Sequence, residues 1–186
     1  KFGTDADDII YVSVGVGIGV GLILNGKLYQ GNNGFSGEMG HMTIEANGAR
    51  CRCGNNGCWE LYASEQALIN NTAHFGIKNE DNILEKMMNL AEEGDQEAIK
   101  RFKAIGDYLG IGIINIINSF NPQYVIIGNR MAAAKKWIEQ PLLEKVNHHA
   151  LWFQQRQLQI NFSELSAHST ALGVAAFSIE HFFKFY

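Results

Sequence analysis

Residues 37–60 read GEMGHMTIEANGARCRCGNNGCWE, and how this stretch is held decides what kind of fold can contain it. Glycine and polar residues are too frequent for regular structure beyond a short strand expected at 41–44, and loops of this length inside a domain are usually functional. His41, Cys51, Cys53 and Cys58 stand within 18 residues of one another. Four soft or borderline ligands so spaced can close on one tetrahedral ion, the pattern of a structural Cys₃His zinc site. Gly54 and Gly57 let the backbone turn sharply between ligands. The plainer reading, three reduced thiols in a loop, leaves this irregular segment without a staple.

Two carboxylates flank the ligands. Glu38 lies three residues before His41 and Glu60 two after Cys58, so an ion held by the loop would also fix their backbone positions. Two fixed carboxylates and an imidazole suit a polyol, because carboxylates accept from the hydroxyl pairs that a sugar presents. Each has an ordinary alternative: Glu38 as a solvated loop acid, Glu60 as an acid favoured by the start of the following helix.

Outward from the loop, residues 9–16 and 19–24 are β-branched apolar runs, and Asn25-Gly26 is a type I′ hairpin signal before 27–30. The three read as an antiparallel meander. Downstream the period changes to helical at 64–75, at 82–93 (Ile83, Leu84, Met87, Met88, Leu90) and at 95–118 (Ile99, Phe102, Ile105, Leu109, Ile113, Ile117). Asn121-Pro122 stops the last of these. A buried strand at 124–128, a helix at 132–149, a strand at 158–162 and a helix at 169–183, capped by Ser169 or Thr170, complete the chain. Strands alternating with helices after a meander predict a layered α/β domain.

Composition narrows the function. The chain has 186 residues, 15 Lys+Arg against 19 Asp+Glu, and 20 glycines, of which 12 lie between Gly15 and Gly57. A formal charge of −4 lacks the footprint of a nucleic-acid-binding surface. No apolar stretch reaches the length of a membrane span, and no secretory signal opens the sequence. Three closely spaced cysteines suit a reducing cytoplasm better than a disulfide framework. Lys100, Arg101, Lys103, Lys135 and Lys136 read as solvated faces, and His148, His149 and His168 as surface or satisfied histidines. Phe177 reads as core, with Phe182, Phe183 and Phe185 available to a subunit contact.

The motifs at 37–41 and 51–60 resemble the signature of the ROK group of bacterial sugar kinases and sugar-responsive repressors. The resemblance covers nearly the whole chain. It implies the actin-like, ribonuclease-H-like ATPase fold, with this chain as its C-terminal half. It also implies zinc on His41, Cys51, Cys53 and Cys58, and sugar contacts from Glu38, His41 and Glu60. Within the group, residues 125–130 (VIIGNR) and 165–173 (LSAHSTALG) look most like the xylose repressors of Gram-positive bacteria. The resemblance implies that residues 1–186 are a single cytoplasmic sugar-sensing effector domain, part of a longer chain that forms a homodimer and binds xylose or another aldose, with operator DNA contacted only by a winged helix-turn-helix upstream.

Two departures separate this sequence from the family's kinases. Gly15-Val16-Gly17 occupies the place of the phosphate loop, where the kinases have a Thr at the position of Val16. Loss of such a hydrogen bond costs about 1.5–3 kcal/mol. At Gly128-Asn129 the kinases have two glycines, and Asn129 puts a side chain into the nucleotide's space. The kinases' catalytic Asp lies upstream of Lys1; Asp5, Asp7 and Asp8 do not match its motif. The sequence therefore favours a sugar sensor without catalysis, against the alternative of the C-terminal part of an ATP-dependent kinase such as a glucokinase.

Overall fold

The computed structural model describes residues 6–69, 82–165, 168, 171–175 and 178, arranged around a five-stranded sheet of order β3-β2-β1-β4-β5. Strands β1 (Ile9–Val14), β2 (Ile18–Leu24) and β3 (Lys27–Tyr29) form the expected antiparallel meander. Asn25 and Gly26 both have positive φ, 52° and 71°, as a type I′ turn requires. Strand β4 (Tyr124–Gly128) runs parallel to β1, and β5 (Gln159–Phe162) runs parallel to β4.

Register sorts the side chains. Ile10 pairs with Val125 and Val12 with Ile127, and these four, with Val14, are fully buried in the main core. Tyr11 and Ser13, which point to the opposite face, are only half-buried. Ser13 pairs with Gly128, so the turn after β1 and the loop after β4 leave the sheet side by side at one edge.

Among the described residues the helices after the meander include α1 (Glu60–Ala63), α2 (Glu65–Ile69), α3 (Ile83–Glu92), α4 (Gln96–Phe120), α5 (Lys135–His149) and α6 (Trp152–Gln155). Helix α4 begins at Asp95, whose side chain accepts from the amides of Glu97 and Ala98. It ends at Asn121, held at φ 44°, before Pro122. Its predicted stripe is the core: Phe102, Ile105, Leu109, Ile113 and Ile117 are buried. Gly106 lets α5 approach closely, since a Cβ there would lie 2.5 Å from the Ile138 carbonyl and 2.6 Å from Pro141 Cγ.

The elements differ from the sequence reading at residues 41–44, at the additional short helices α1 and α6, and at Arg130–Ala134. Residues 41–44 form no strand; a 3₁₀ turn at Met39–His41 is followed by a single bridge between Thr43 and Cys58, and the amides of Ile44 and Glu45 both turn to the one Gly57 carbonyl instead of continuing a ladder. The helix expected at 64–75 starts at Glu65 as α2, directly after an extended Ser64 whose Oγ donates to the carbonyls of Glu60 and Val16; residues 70–75 lie outside the described residues. A 3₁₀ turn at Arg130–Ala134 precedes α5. Residues 171–175 are helical, while Ser169, Thr170, Phe177, Phe182, Phe183 and Phe185 lie outside the described residues. No helix among the described residues is long and apolar enough to cross a membrane.

Trp59 ties the loop to this core. Its side chain is fully buried, its ring lies where a Cβ on Gly112 would fall, and its Nε1–H donates to the Tyr108 carbonyl at 2.8 Å. Gly112→Ala should gain some helix propensity but force the indole off α4, for a net loss of about 1–3 kcal/mol. Thermal unfolding with tryptophan fluorescence would measure this; an unchanged midpoint and emission would show that the ring is not seated there.

Candidate functional site

The loop before α1 has its own backbone scaffold. Ile44 N–H donates to the Gly57 carbonyl, Gly57 N–H to Ala49, and Trp59 N–H to Met42. Gly57 sits at φ 70°, with the Glu45 carbonyl where a Cβ would be, so no other residue fits without moving the strand-like pair. Between the cysteines the Cys51 amide donates to Asn55 and the Gly54 amide to Cys51, a tight turn that folds 51–58 back on itself.

This folding gathers His41, Cys51, Cys53 and Cys58, whose ligand atoms all lie within 4.8 Å of one another. Cys51 Sγ is 3.7 Å from His41 Nδ1, and Cys53 Sγ is 3.6 Å from Cys58 Sγ. A tetrahedral ion with metal–sulfur bonds of about 2.3 Å places its sulfurs about 3.8 Å apart, so the donor set fits one metal ion. Cys51 and Cys58 are buried, while Cys53 is exposed. Burial pushes the Cys58 thiol up to about 12, whereas the Asn55 backbone amide lowers Cys53. Thiols held neutral by burial must release protons to become ligands.

Glu60 adjoins the cluster. It is 2% exposed, and its Oε1 lies 3.6 Å from both His41 Nδ1 and Cys51 Sγ. Arg52 Nε approaches the same oxygen at 3.8 Å. Helix α1 has four residues, too short for its dipole to account for so buried an acid. Glu38 is placed differently: its carbonyl accepts from the His41 amide at 3.1 Å, but its side chain is exposed. Among the described residues no hydrogen bond or ion pair joins it to Glu60.

Gly15, Val16 and Gly17 form the turn between β1 and β2. The Gly15 amide donates to the Gly17 carbonyl, and the Gly15 and Val16 carbonyls accept from the Glu65 amide and from Ser64 Oγ. The Val16 side chain is half exposed. Asn129 leans over this turn from the end of β4: its Nδ2 donates to Ser13 Oγ at 3.0 Å, its Oδ1 accepts from the Arg130 amide at 2.8 Å, and a methyl on Gly15 would lie 3.2 Å from Nδ2. Its backbone, at φ 72° and ψ −166°, is in a region that belongs almost wholly to glycine.

Three contacts had no sequence signal. A methyl on Gly17 would lie 2.7 Å from Glu60 Oε2, so the β1–β2 turn and the metal loop are one site rather than two. Arg130 makes a two-pronged contact with Glu85, at 3.0 and 3.2 Å, and its Nε is 3.5 Å from Glu65 Oε1. Glu65 is buried, which pushes its carboxyl up while Arg130 holds it back. Placed after Ser64, Glu65 reads as an ordinary helix-start acid. Arg52, between two cysteines, could have been found by asking which side chain the ligands immobilise. The basic residues on α4 and α5 are mostly exposed or paired on the surface, as with Lys136 and Glu92, and His148 and His149 are exposed.

Comparison with known proteins follows this geometry. The ROK family profile matches residues 2–181. A xylose repressor of Bacillus subtilis is 42% identical over 176 residues, 95% of this chain and 45% of that protein. Among solved structures, a ROK family transcriptional regulator homologous to the E. coli Mlc protein superposes with TM-score 0.76 at 32% identity, over 85% of this chain and 42% of that one. A ROK hexokinase of Thermus thermophilus superposes with TM-score 0.75 at 26% identity, over 88% and 56%. The chain thus spans a little under half the length of the repressor it matches.

Cys58→Ser should abolish metal retention and raise amide exchange through residues 42–58, with the sheet unaffected. In the parent chain, metal content should fall as pH is lowered, because each proton returned to a thiol removes a ligand. Elemental analysis across a pH series and hydrogen-exchange mass spectrometry would check both. Folded parent protein without bound metal at neutral pH would refute the assignment.

Proposed function

The chain belongs to the ROK family, and from that premise we propose that it is the sugar-binding effector part of a repressor of sugar-utilisation genes. Residues 1–186 form one effector domain of a longer chain, with DNA contacted by another region and xylose as the inducing sugar. The ion at His41, Cys51, Cys53 and Cys58 is zinc, the commonest partner of a Cys₃His set, and its part is structural. A homodimer is the assembly that suits two operator half-sites.

The side chains divide the work. Glu60, buried and rigidly placed, accepts hydrogen bonds from sugar hydroxyls, and Glu38 does so from the exposed side of the pocket. His41 has Nδ1 turned to the thiolates, which leaves Nε2–H as a donor. Sugar binds one arrangement of the full protein better than another, and that difference in affinity is what weakens its hold on DNA. A coupling of about 1–3 kcal/mol corresponds to a 5–150-fold change in operator affinity.

Asn129 carries the choice of sensor over kinase. Its side chain occupies the corner of the β1–β2 turn, hydrogen-bonded to Ser13, in a backbone conformation proper to glycine, and Val16 offers no hydroxyl. The structural match to a ROK hexokinase belongs to the shared fold.

Glu60→Gln should weaken xylose binding by about 1–3 kcal/mol with the metal retained, since it replaces a charged acceptor by a neutral one. In the full-length protein, operator DNA should weaken xylose binding by the same factor by which xylose weakens operator binding, and ATP should not be consumed. Calorimetric titration with and without operator, alongside an ADP-release assay, tests this. Equal sugar affinity in both states, or sugar-dependent ADP release at a kinase rate, would overturn the repressor reading.

A further inference from the structure

We infer that Arg52 is a specificity residue of this pocket, donating to a hydroxyl oxygen of the sugar bound against Glu60; the inference rests on the sugar-binding reading above. A carboxylate only accepts hydrogen bonds. A site whose buried polar group is Glu60 can therefore satisfy sugar hydroxyls as donors, yet each hydroxyl also carries lone pairs that need a donor when water is displaced. The Arg52 guanidinium carries five N–H donors and no acceptor.

Its position is set by the metal loop. Arg52 stands between Cys51 and Cys53, so ligation of both neighbours fixes its backbone. Its Nε lies 3.8 Å from Glu60 Oε1, and its Nη2 lies 3.7 Å from where a methyl on Gly17 would be. Glu60 Oε2 is 2.7 Å from that same point. Cation and carboxylate thus converge beside a position that has no side chain.

The pairing is exchangeable. The Arg52 side chain is 70% exposed, and an ion pair so open to water at such a separation contributes little to stability. The guanidinium can therefore turn part of its donor fork to a ligand without leaving a buried charge unpaired. A hydroxyl placed between the two groups would donate to Glu60 and accept from Arg52. A sugar lacking that hydroxyl would leave both unanswered, which gives the pair discrimination among aldoses.

The test is a cycle between residue and ligand in the full-length, metal-loaded protein. Arg52→Ala should weaken xylose about 10-fold or more with metal content unchanged, and Arg52→Lys, which keeps the charge but loses the fork, should recover part of that loss. Across the monodeoxy xyloses, one analogue should bind the parent much less well than xylose does, while Arg52→Ala should narrow that difference to what the Glu60 contact alone contributes. Unchanged xylose affinity in Arg52→Ala, or a loss identical for xylose and every analogue, would overturn the inference. Glu60→Gln measured alongside separates the two readings. Sensitivity to Glu60→Gln alone rejects the role of Arg52, and insensitivity to both rejects the pocket itself.

Discussion

Burial of Trp59 against α4 is the contact through which the rest of the site is placed. The four-ligand cluster fixes the loop only relative to itself, and the bridges at Thr43–Cys58 and Arg50–Asn56 add order within the same segment. Trp59 sits between Cys58 and the buried carboxylate and reaches the helix, with Met42 a second contact through Asn115. An indole of this kind removes on the order of 200 Å² from water, and the Nε1 bond to Tyr108 fixes its rotation as well as its depth. The absent side chain at Gly112 is what allows ring and helix to meet, so a residue on α4 sets where Cys58 and Glu60 stand.

Much of this was legible from local signals. The Asn25-Gly26 turn, the apolar stripe of α4, its stop at Asn121-Pro122 and the four-ligand spacing each depend on neighbours in sequence, and each was found. What escaped notice depends on partners far away. Ser64 separates α1 from α2 with its hydroxyl bonded to the Val16 carbonyl, 48 residues back. Gly106 and Gly112 look like weak points in a helix, since interior glycine costs about 1 kcal/mol relative to alanine, until the partner surfaces that need them are known. Arg130 and Glu65 lie on separate elements, and nothing in either segment announces the other. Glu38 is the opposite case: its place in the motif is as regular as that of Glu60, but its side chain is exposed while Glu60 is enclosed.

The β1–β2 turn and the cysteine-bearing loop share a wall. Gly17, read from sequence as part of a nucleotide loop, touches the carboxylate read as a sugar ligand. On the sensor reading proposed above, the sugar side of this wall is kept while the other side is filled by Asn129, bonded to Ser13; a kinase of the same family would leave it open. The sheet accommodates either outcome because the β1–β4 register, with Ser13 opposite Gly128, brings the two loops together whatever side chains they carry.

The clamp around Arg130 has an electrical consequence. Arg130 follows Asn129 directly and would be the natural counter-charge for a polyanion entering over β4, but Glu65 and Glu85 already engage it. One guanidinium held between two carboxylates presents no net positive field, so a triphosphate approaching that corner would meet an acidic border. On the proposed sensor reading, admitting one would take changes on three separate segments: a smaller residue at 129, a donor at 16, and the removal of an acid from α2 or α3.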